Sequence, residues 1–238
     1  MKIQVDKIYN HELSLVIPCY NEEKNIGKEA TELVNELTSS NIDFELILVD
    51  NGSYDDTARI LNDLAKRCPQ IKVVTVKKNE GYGWGIINGL KNCNGSYVGF
   101  LCADGQISPK DVIKVFKKLK SEDLDLCKVR RIKRYDGLYR LFLSKSYNFL
   151  FKFFFPVPTN DVNGTPKIMK YNCYNKLNIS SKDWFIDTEI MIKAKIFGFK
   201  IGEVPVEFKK REKGKSNIKF TIVFEFIRNL IRYKLRGL

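Results

Sequence analysis

Two polar side chains follow a short apolar segment near the middle of the chain. Asp104 and Gln106 lie two residues apart, directly after the strand-like segment Tyr97–Cys102. At this spacing both side chains can face the same side of the chain. Their carboxylate and amide oxygens are ligands of the kind that Mg²⁺ or Mn²⁺ prefers, and a diphosphate can complete the coordination shell. A simple turn explains the segment equally well, because Asp-Gly is a common turn dipeptide.

Asp50 and three basic residues are further candidates for binding a ligand. Asp50 ends a buried-strand segment, where its carboxylate could accept a hydrogen bond from the N–H of a nucleobase or could cap the next helix. Arg130, Arg211 and Lys215 could hold a diphosphate, with Arg as a bidentate donor and Lys as a point charge. In so basic a chain, a solvated surface position is an ordinary alternative for each of them.

Asp187 and Glu189 open a segment with helical spacing. These carboxylates could orient an acceptor or take a proton from it. They could equally be first-turn acids that the helix dipole favours. The spacing alone leaves both interpretations open.

The first half of the chain alternates strand patterns with helix patterns. Strands are predicted at Leu13–Ile17, Phe44–Val49, Ile71–Val76 and Tyr97–Cys102, and helices at 22–38, after a Ser53-x-x-Asp56 capping box, at 82–92 and after Ser108-Pro109. This alternation predicts an α/β fold with a mostly parallel sheet covered by helices on both faces. Such sheets bind ligands at the carboxyl ends of their strands, which are Pro18–Glu22, Asp50–Ser53 and Cys102–Gln106. In the second half, a helix is predicted at 187–197 and an edge strand at Ile201–Phe208, which contains Pro205.

The net charge of +13 is concentrated in two segments. Residues 127–156 hold eight Lys/Arg and one acid, and residues 205–238 hold ten Lys/Arg and three Glu. Each contains an amphipathic helical pattern, at 138–155 and at 218–236, in which basic residues flank a wide apolar face. This pattern favours an anionic membrane surface over nucleic acid, for which the chain shows no binding motif.

Cysteine usage and hydropathy exclude several classes of protein. The six cysteines form no CxxC pair and the chain has one His, so zinc binding is not expected. Scattered thiols suit a reducing cytosol. No apolar run reaches about 18 residues, and the N-terminus lacks an apolar central region, so neither a membrane-spanning helix nor a secretory signal is expected. We therefore expect a cytoplasmic protein that binds a membrane peripherally, at its cytoplasmic face.

Together these motifs resemble the family 2 inverting glycosyltransferases of the GT-A (Rossmann-like) fold, in particular the dolichyl-phosphate mannose synthase-like and polyprenyl-phosphate enzymes. The matching segments, in family order, are LSLVIPCYNEEKNI, FELILVDNGSYDDT, NEGYGWGIINGL, GSYVGFLCADGQISPKDV, DVNGTPKIMK, WFIDTEIMIKAKIFGFKIGEVPVEF and KREKGKS. The resemblance implies a glycosyltransferase domain over residues 1–216. Its nucleotide-sugar half would span about 11–120 and its acceptor half about 121–216. Residues 217–238 would then form a basic amphipathic helix.

The resemblance also implies a role for each matching residue. The nucleotide sugar would be bound by Pro18, Tyr20, Asn21, Glu22, Asp50, Ala103, Asp104, Arg130, Arg211 and Lys215. Mg²⁺ or Mn²⁺ would be held by Asp104 and Gln106, and catalysis would involve Asp104, Asp187, Glu189 and Arg211. Two residues depart from the family pattern, because Cys102 and Asn51 stand where the family usually has Asp.

The implied reaction moves a hexose-type sugar, with inversion, from a UDP- or GDP-linked donor to a polyprenyl or dolichyl phosphate. Such a phosphate is largely dianionic at neutral pH and serves as its own nucleophile, whereas a sugar hydroxyl would need a carboxylate as general base. Two alternatives stay open, namely transfer to a hydroxyl of a surface glycan and an inactive homologue that only binds nucleotide sugar. The sequence does not predict an oligomeric state.

Overall fold

A seven-stranded sheet forms the centre of the protein. The computed structural model describes residues 9–134 and 161–208, together with residues 151, 155, 157, 159 and 228. The strands are β1 His11–Cys19, β2 Phe44–Asp50, β3 Ile71–Thr75, β4 Gly95–Phe100, β5 Leu126–Arg134, β6 Lys167–Lys170 and β7 Ile201–Phe208. Their order is β3-β2-β1-β4-β6-β5-β7. Only β6 runs antiparallel to its neighbours, so the carboxyl ends of the other strands share one edge of the sheet.

Helices cover both faces of this sheet. They are α1 Ile26–Ser39, α2 Thr57–Arg67, α3 Tyr82–Leu90, α4 Pro109–Ser121, α5 Tyr171–Leu177 and α6 Ile186–Ile196. Neighbouring residues of β1 point to opposite sides, as the period of a strand requires. Leu15 packs in a core cluster with α1, α2 and α4. Val16 packs in the other cluster, with α3, α5 and α6. The predicted α/β fold, with its mostly parallel and doubly covered sheet, is confirmed.

The predicted elements of the first half are confirmed with small shifts of their ends, but one cap is wrong. The helix α2 begins at Thr57 rather than at a Ser53-x-x-Asp56 box, with Asp56 as its N-cap residue. The Ser53 hydroxyl accepts a hydrogen bond from the Asn21 backbone N–H instead, at 3.2 Å. A different carboxylate contacts the start of α2. The Asp55 side chain accepts a hydrogen bond from the Thr57 backbone N–H at 3.0 Å.

The second half contains elements that the sequence patterns did not predict. The strand β7 lies at the edge of the sheet, as Pro205 indicated. The strands β5 and β6 and the helix α5 were missed, since basic residues interrupt the apolar pattern of β5 and the other two elements are short. The predicted helices at 138–155 and 218–236 fall almost wholly outside the described residues. Among the helices that the structure does describe, none is long and apolar enough to cross a bilayer.

The helix α3 packs so closely on the sheet that Gly89 has no room for a methyl group. A Cβ at this position would overlap Val16 and lie 2.9 Å from the Val49 side chain. We predict that Gly89→Ala destabilises the fold by about 1–3 kcal/mol through overpacking, although Ala is otherwise favoured over Gly in a helix. Urea unfolding measures the effect.

The matched control is Gly27→Ala in α1, where a new Cβ would make only an ordinary contact of 3.7 Å with Ile60. This variant should be neutral, or more stable by up to about 1 kcal/mol. Equal losses in both variants would contradict the packing argument.

Candidate active site

The loops that follow β1 and β2 are tied together at the carboxyl edge of the sheet. The Asn21 side chain accepts a hydrogen bond from the Tyr54 N–H at 3.0 Å, and its backbone has a positive φ of 56°. The Glu22 N–H donates to the Thr57 hydroxyl at 2.9 Å. The Tyr20 ring meets the exposed Tyr54 ring edge to face, with centroids 6.1 Å apart. The predicted nucleotide-binding residues Tyr20, Asn21 and Glu22 therefore all lie where the loop after β1 contacts the loop after β2.

Asp50, Asn51 and Pro18 form the next part of this edge. The buried carboxylate of Asp50 accepts a hydrogen bond from the Ser53 N–H at 2.9 Å, which closes the loop after β2 and does not cap α2, because that helix begins at Thr57. Asn51 donates to the Gly81 carbonyl at 3.0 Å, at the start of α3. Its Oδ1 atom is buried and makes no hydrogen bond within the described part of the chain. A Cβ at Gly85 would lie 3.0 Å from Pro18 and 3.1 Å from Asn51, so glycine permits this close approach.

Asp104 and Gln106 lie beyond β4, which ends two residues earlier than predicted, at Phe100. Asp104 accepts a hydrogen bond from the backbone N–H of Gln106 at 3.2 Å, and Ala103 and Gln106 are buried. Gly105 has a positive φ of 66° and lies against the Glu29 carboxylate of α1, a neighbour that the sequence did not indicate. The loop is thus a turn, and that turn carries both predicted metal ligands.

The donor set of this loop fits a divalent ion only when other ligands join it. Asp104 offers a carboxylate and Gln106 an amide, which are the hard oxygen ligands that Mg²⁺ and Mn²⁺ prefer. Within the residues that the structure describes, no group of three or more His, Cys, Asp or Glu could hold a metal. The loop therefore suits an ion that shares its shell with a diphosphate.

Cys102 contributes a hydrogen-bonding group at this edge. Its sulfur lies 3.4 Å from the Tyr82 hydroxyl and 3.6 Å from the Thr165 hydroxyl. Burial and the nearby charge of Asp104 raise the pKa of the Cys102 thiol to about 11. A neutral, soft thiol is a poor ligand for Mg²⁺ or Mn²⁺, so we do not assign Cys102 as a metal ligand.

An aromatic pair stands beside Cys102. The rings of Tyr82 and Trp184 are stacked, with centroids 4.4 Å apart and an interplanar angle of 14°. Burial, together with the nearby charge of Asp187, raises the pKa of Tyr82 well above its usual range. The segment NEGYGWG signalled this region, but the pairing with Trp184 could not be found from sequence because the two residues lie far apart in the chain.

Asp187 lies in the first turn of α6 and is almost fully buried. Its carboxylate forms an ion pair and hydrogen bond with Lys167 of β6, which is fully buried. The Lys167 ammonium also donates to the Gly164 carbonyl at 3.0 Å. Burial lowers the pKa of Lys167, and the charge of Asp187 opposes that shift. Asp187 therefore lies near the predicted site, and the Lys167 ammonium already balances the charge of its carboxylate.

Glu189, two residues further along α6, is fully buried on a different side of the helix. Its carboxylate accepts hydrogen bonds from the Ser180 N–H and hydroxyl, from the Ser181 N–H and from the Lys193 ammonium. Burial alone would raise the pKa of Glu189, but the hydrogen bonds from Lys193 and Ser181 outweigh it and lower the pKa. The predicted catalytic role of Glu189 stays a prediction, and its contacts favour another role.

A second group of buried charges lies between β5 and the loop before β6. Asp161 receives two hydrogen bonds from the Arg131 guanidinium, at 2.8 and 2.5 Å. The fully buried Lys128 ammonium lies 2.9 Å from the Glu203 carboxylate. Arg130, the predicted diphosphate ligand, has a side chain that is 40% exposed and lies 4.0 Å from Glu203. Its Nε atom makes no hydrogen bond to any residue that the structure describes.

Two further predicted site residues, Arg211 and Lys215, lie outside the described residues. Sequence reasoning missed Tyr82, Thr165 and Lys167. The signal for Lys167 was its position in the short apolar segment KIMK, where a buried lysine needs a partner.

The Asp161–Arg131 pair generates a stability prediction. Burial would raise the pKa of Asp161, but the charge and hydrogen bonds of Arg131 lower it well below its usual range. Asp161→Asn leaves Arg131 without its counter-charge and should cost about 3–5 kcal/mol at neutral pH. A carboxylate with a lowered pKa stabilises the fold above its unfolded pKa of about 3.9, and this contribution is lost as the pH falls through the folded pKa.

Urea unfolding of wild type and Asp161→Asn should therefore give the same difference at pH about 7 and about 5, and a smaller one below about 4. Asp123→Asn, which removes an exposed carboxylate paired with Lys170, should change stability far less. If the stability difference between wild type and Asp161→Asn grew as the pH fell, the lowered pKa of Asp161 would be contradicted.

Comparison with known proteins agrees with this geometry. Residues 14–190 match the profile described as Glycosyl transferase family 2. The chain is 28% identical to dodecaprenyl-phosphate galacturonate synthase of Rhizobium johnstonii over 243 residues, which cover 97% of this chain and 70% of the relative. It is also 28% identical to a dolichyl-phosphate beta-glucosyltransferase of Trichomonas vaginalis, over 87% of this chain and 68% of the relative.

Among solved structures, glucosyl-3-phosphoglycerate synthase from Mycobacterium tuberculosis, in complex with Mn²⁺, UDP and phosphoglyceric acid, has a TM-score of 0.72. It is 20% identical, and the match covers 93% of this chain and 76% of that one. This likeness establishes the shared GT-A fold. With the profile match extending over most of the chain, from β1 into α6, the protein belongs to glycosyl transferase family 2.

Proposed function

We propose that the protein transfers a hexose-type sugar, with inversion, from a UDP- or GDP-linked donor to a polyprenyl phosphate. One observation carries the choice of acceptor. The two carboxylates predicted to face the acceptor, Asp187 and Glu189, are both buried and both already bonded to donors of the protein.

A hydroxyl acceptor would need one of these carboxylates as a general base within hydrogen-bond reach. Glu189 accepts from Ser180, Ser181 and Lys193, and Asp187 is paired with Lys167. A phosphate monoester needs no base, because its second pKa is about 6 and its dianion attacks directly. The arrangement therefore suits a phosphate acceptor better than a sugar hydroxyl.

The relatives support the same class of acceptor. Two of them carry names that specify dodecaprenyl-phosphate and dolichyl-phosphate as the carrier. Both are long isoprenoid phosphates, which reside in membranes. The basic, amphipathic segments at 138–155 and 218–236 would hold the protein on the anionic cytoplasmic surface, where such a phosphate is presented.

The carboxyl edge of the sheet would bind the donor. Tyr20, Asp50 and their loops would surround the nucleoside, and Arg130 would contact the diphosphate. Asp104 and Gln106 would hold Mg²⁺ or Mn²⁺, which supplies positive charge to the departing diphosphate when bound. Arg211 and Lys215 would add further positive charge to the leaving group.

The test is a donor screen with matched acceptors. The purified protein is mixed with UDP- or GDP-sugars, a divalent cation and either a short polyprenyl phosphate or the polyprenol that lacks the phosphate. We expect sugar transfer to the polyprenyl phosphate alone, with a rate that falls as the pH drops below about 6 and the phosphate is protonated.

Chelation of the divalent cation should abolish the transfer and its restoration should recover it. Efficient transfer to the polyprenol or to a soluble glycan would contradict the proposal in favour of a hydroxyl acceptor. Nucleotide-sugar binding without turnover of any acceptor would favour the inactive homologue instead.

A further inference from the structure

The loop 180–184 is held on one side by the helix α6. Glu189, which has no exposed surface, accepts from the Ser180 N–H at 3.1 Å, from the Ser180 hydroxyl at 3.1 Å and from the Ser181 N–H at 2.7 Å. The Lys193 ammonium, one turn further on, neutralises the carboxylate at 2.6 Å. One buried side chain therefore satisfies two backbone donors of a loop that precedes its own helix.

The other side of the loop rests on the start of α3. The Trp84 N–H donates to the Lys182 carbonyl at 2.8 Å. A Cβ at Gly83 would overlap the Ser181 carbonyl and lie 2.8 Å from the Asp183 carbonyl. Gly81 has a φ of 126° and approaches Lys182 just as closely. Only glycine at these two positions allows the loop to lie so close to the helix.

The anchored loop determines where Trp184 stands. Its ring stacks on Tyr82, whose hydroxyl lies 3.4 Å from the Cys102 sulfur. Cys102 comes two residues before Asp104, the predicted metal ligand. A continuous series of contacts therefore runs from Glu189 through the loop to the edge where the donor would bind.

We propose that Glu189 is a positioning residue, which fixes the loop 180–184 and thereby the stack of Trp184 on Tyr82, and which takes no proton from the acceptor. The role in transfer rests on the proposed function, whereas the role in holding the loop does not. The two claims are therefore tested by separate measurements.

The first measurement is tryptophan fluorescence, which needs no turnover. The chain has two tryptophans, so a Trp84→Phe background leaves Trp184 as the single emitter. In this background, Glu189→Gln puts an amide N–H where the carboxylate accepted hydrogen bonds. We expect a red-shifted emission and stronger quenching by acrylamide, because Trp184 leaves its stack and meets water.

The matched control is Lys195→Gln on the same helix, whose side chain is exposed, and its emission should be unchanged. Should Glu189→Gln fail to fold, Ser180→Ala removes a single hydrogen bond to the carboxylate and should shift the emission in the same direction by less. Unchanged emission in a folded Glu189→Gln, or in Ser180→Ala when the former does not fold, would overturn the proposal.

The second measurement is the pH dependence of transfer. A positioning role predicts that Glu189→Gln lowers kcat by about tenfold while the shape of the pH–rate profile is kept. A general base predicts a loss of about 10²–10⁴-fold together with the disappearance of one limb of the profile.

If Glu189→Gln lost one limb of the pH–rate profile while the Trp184 emission stayed unchanged, the positioning role would be overturned. If the wild type transfers no sugar to polyprenyl phosphate, the proposed function fails. The fluorescence result then still decides whether Glu189 holds the loop.

Discussion

The helix α6 begins inside the protein and carries two carboxylates there, so each of them must find its donors within the fold. An uncompensated buried charge costs several kcal/mol, which makes this a strict requirement. Lys167 satisfies Asp187 from the strand β6, and the loop 180–184 together with Lys193 satisfies Glu189. These two sets of contacts connect α6 to the sheet on one side and to α3 on the other.

This constraint has a consequence for the chemistry of the site. A carboxylate that is already saturated with donors is a poor proton acceptor, because taking a proton would break the bonds that stabilise its charge. On the proposed acceptor side, the protein would therefore contribute charge balance and shape, and the reactivity would come from the acceptor itself. On the proposed donor side, Asp104 and Gln106 would supply a carboxylate and an amide oxygen to an ion that arrives with its diphosphate.

The sequence predicted the first half of the fold because its strands are largely apolar runs such as Phe44–Val49, and their carboxyl ends form the edge at which we propose that the donor binds. The strand β5 could not be predicted from the sequence, because the partners of its buried basic residues lie in distant parts of the chain. Lys128 pairs with Glu203, and Arg131 pairs with Asp161. Glu189 looked like a helix-start acid because its donors lie in a loop eight and nine residues upstream. Lys167 meets Asp187 across 20 residues, and only the closed sheet brings them together.

We infer that no protein group removes a proton from the acceptor during sugar transfer. The most direct test is the solvent isotope effect on single-turnover transfer to polyprenyl phosphate, measured in H₂O and D₂O on the plateau of the pH profile. We expect a ratio of rates near unity, because the phosphate dianion attacks without a proton being transferred in the same step. A large normal isotope effect would contradict it.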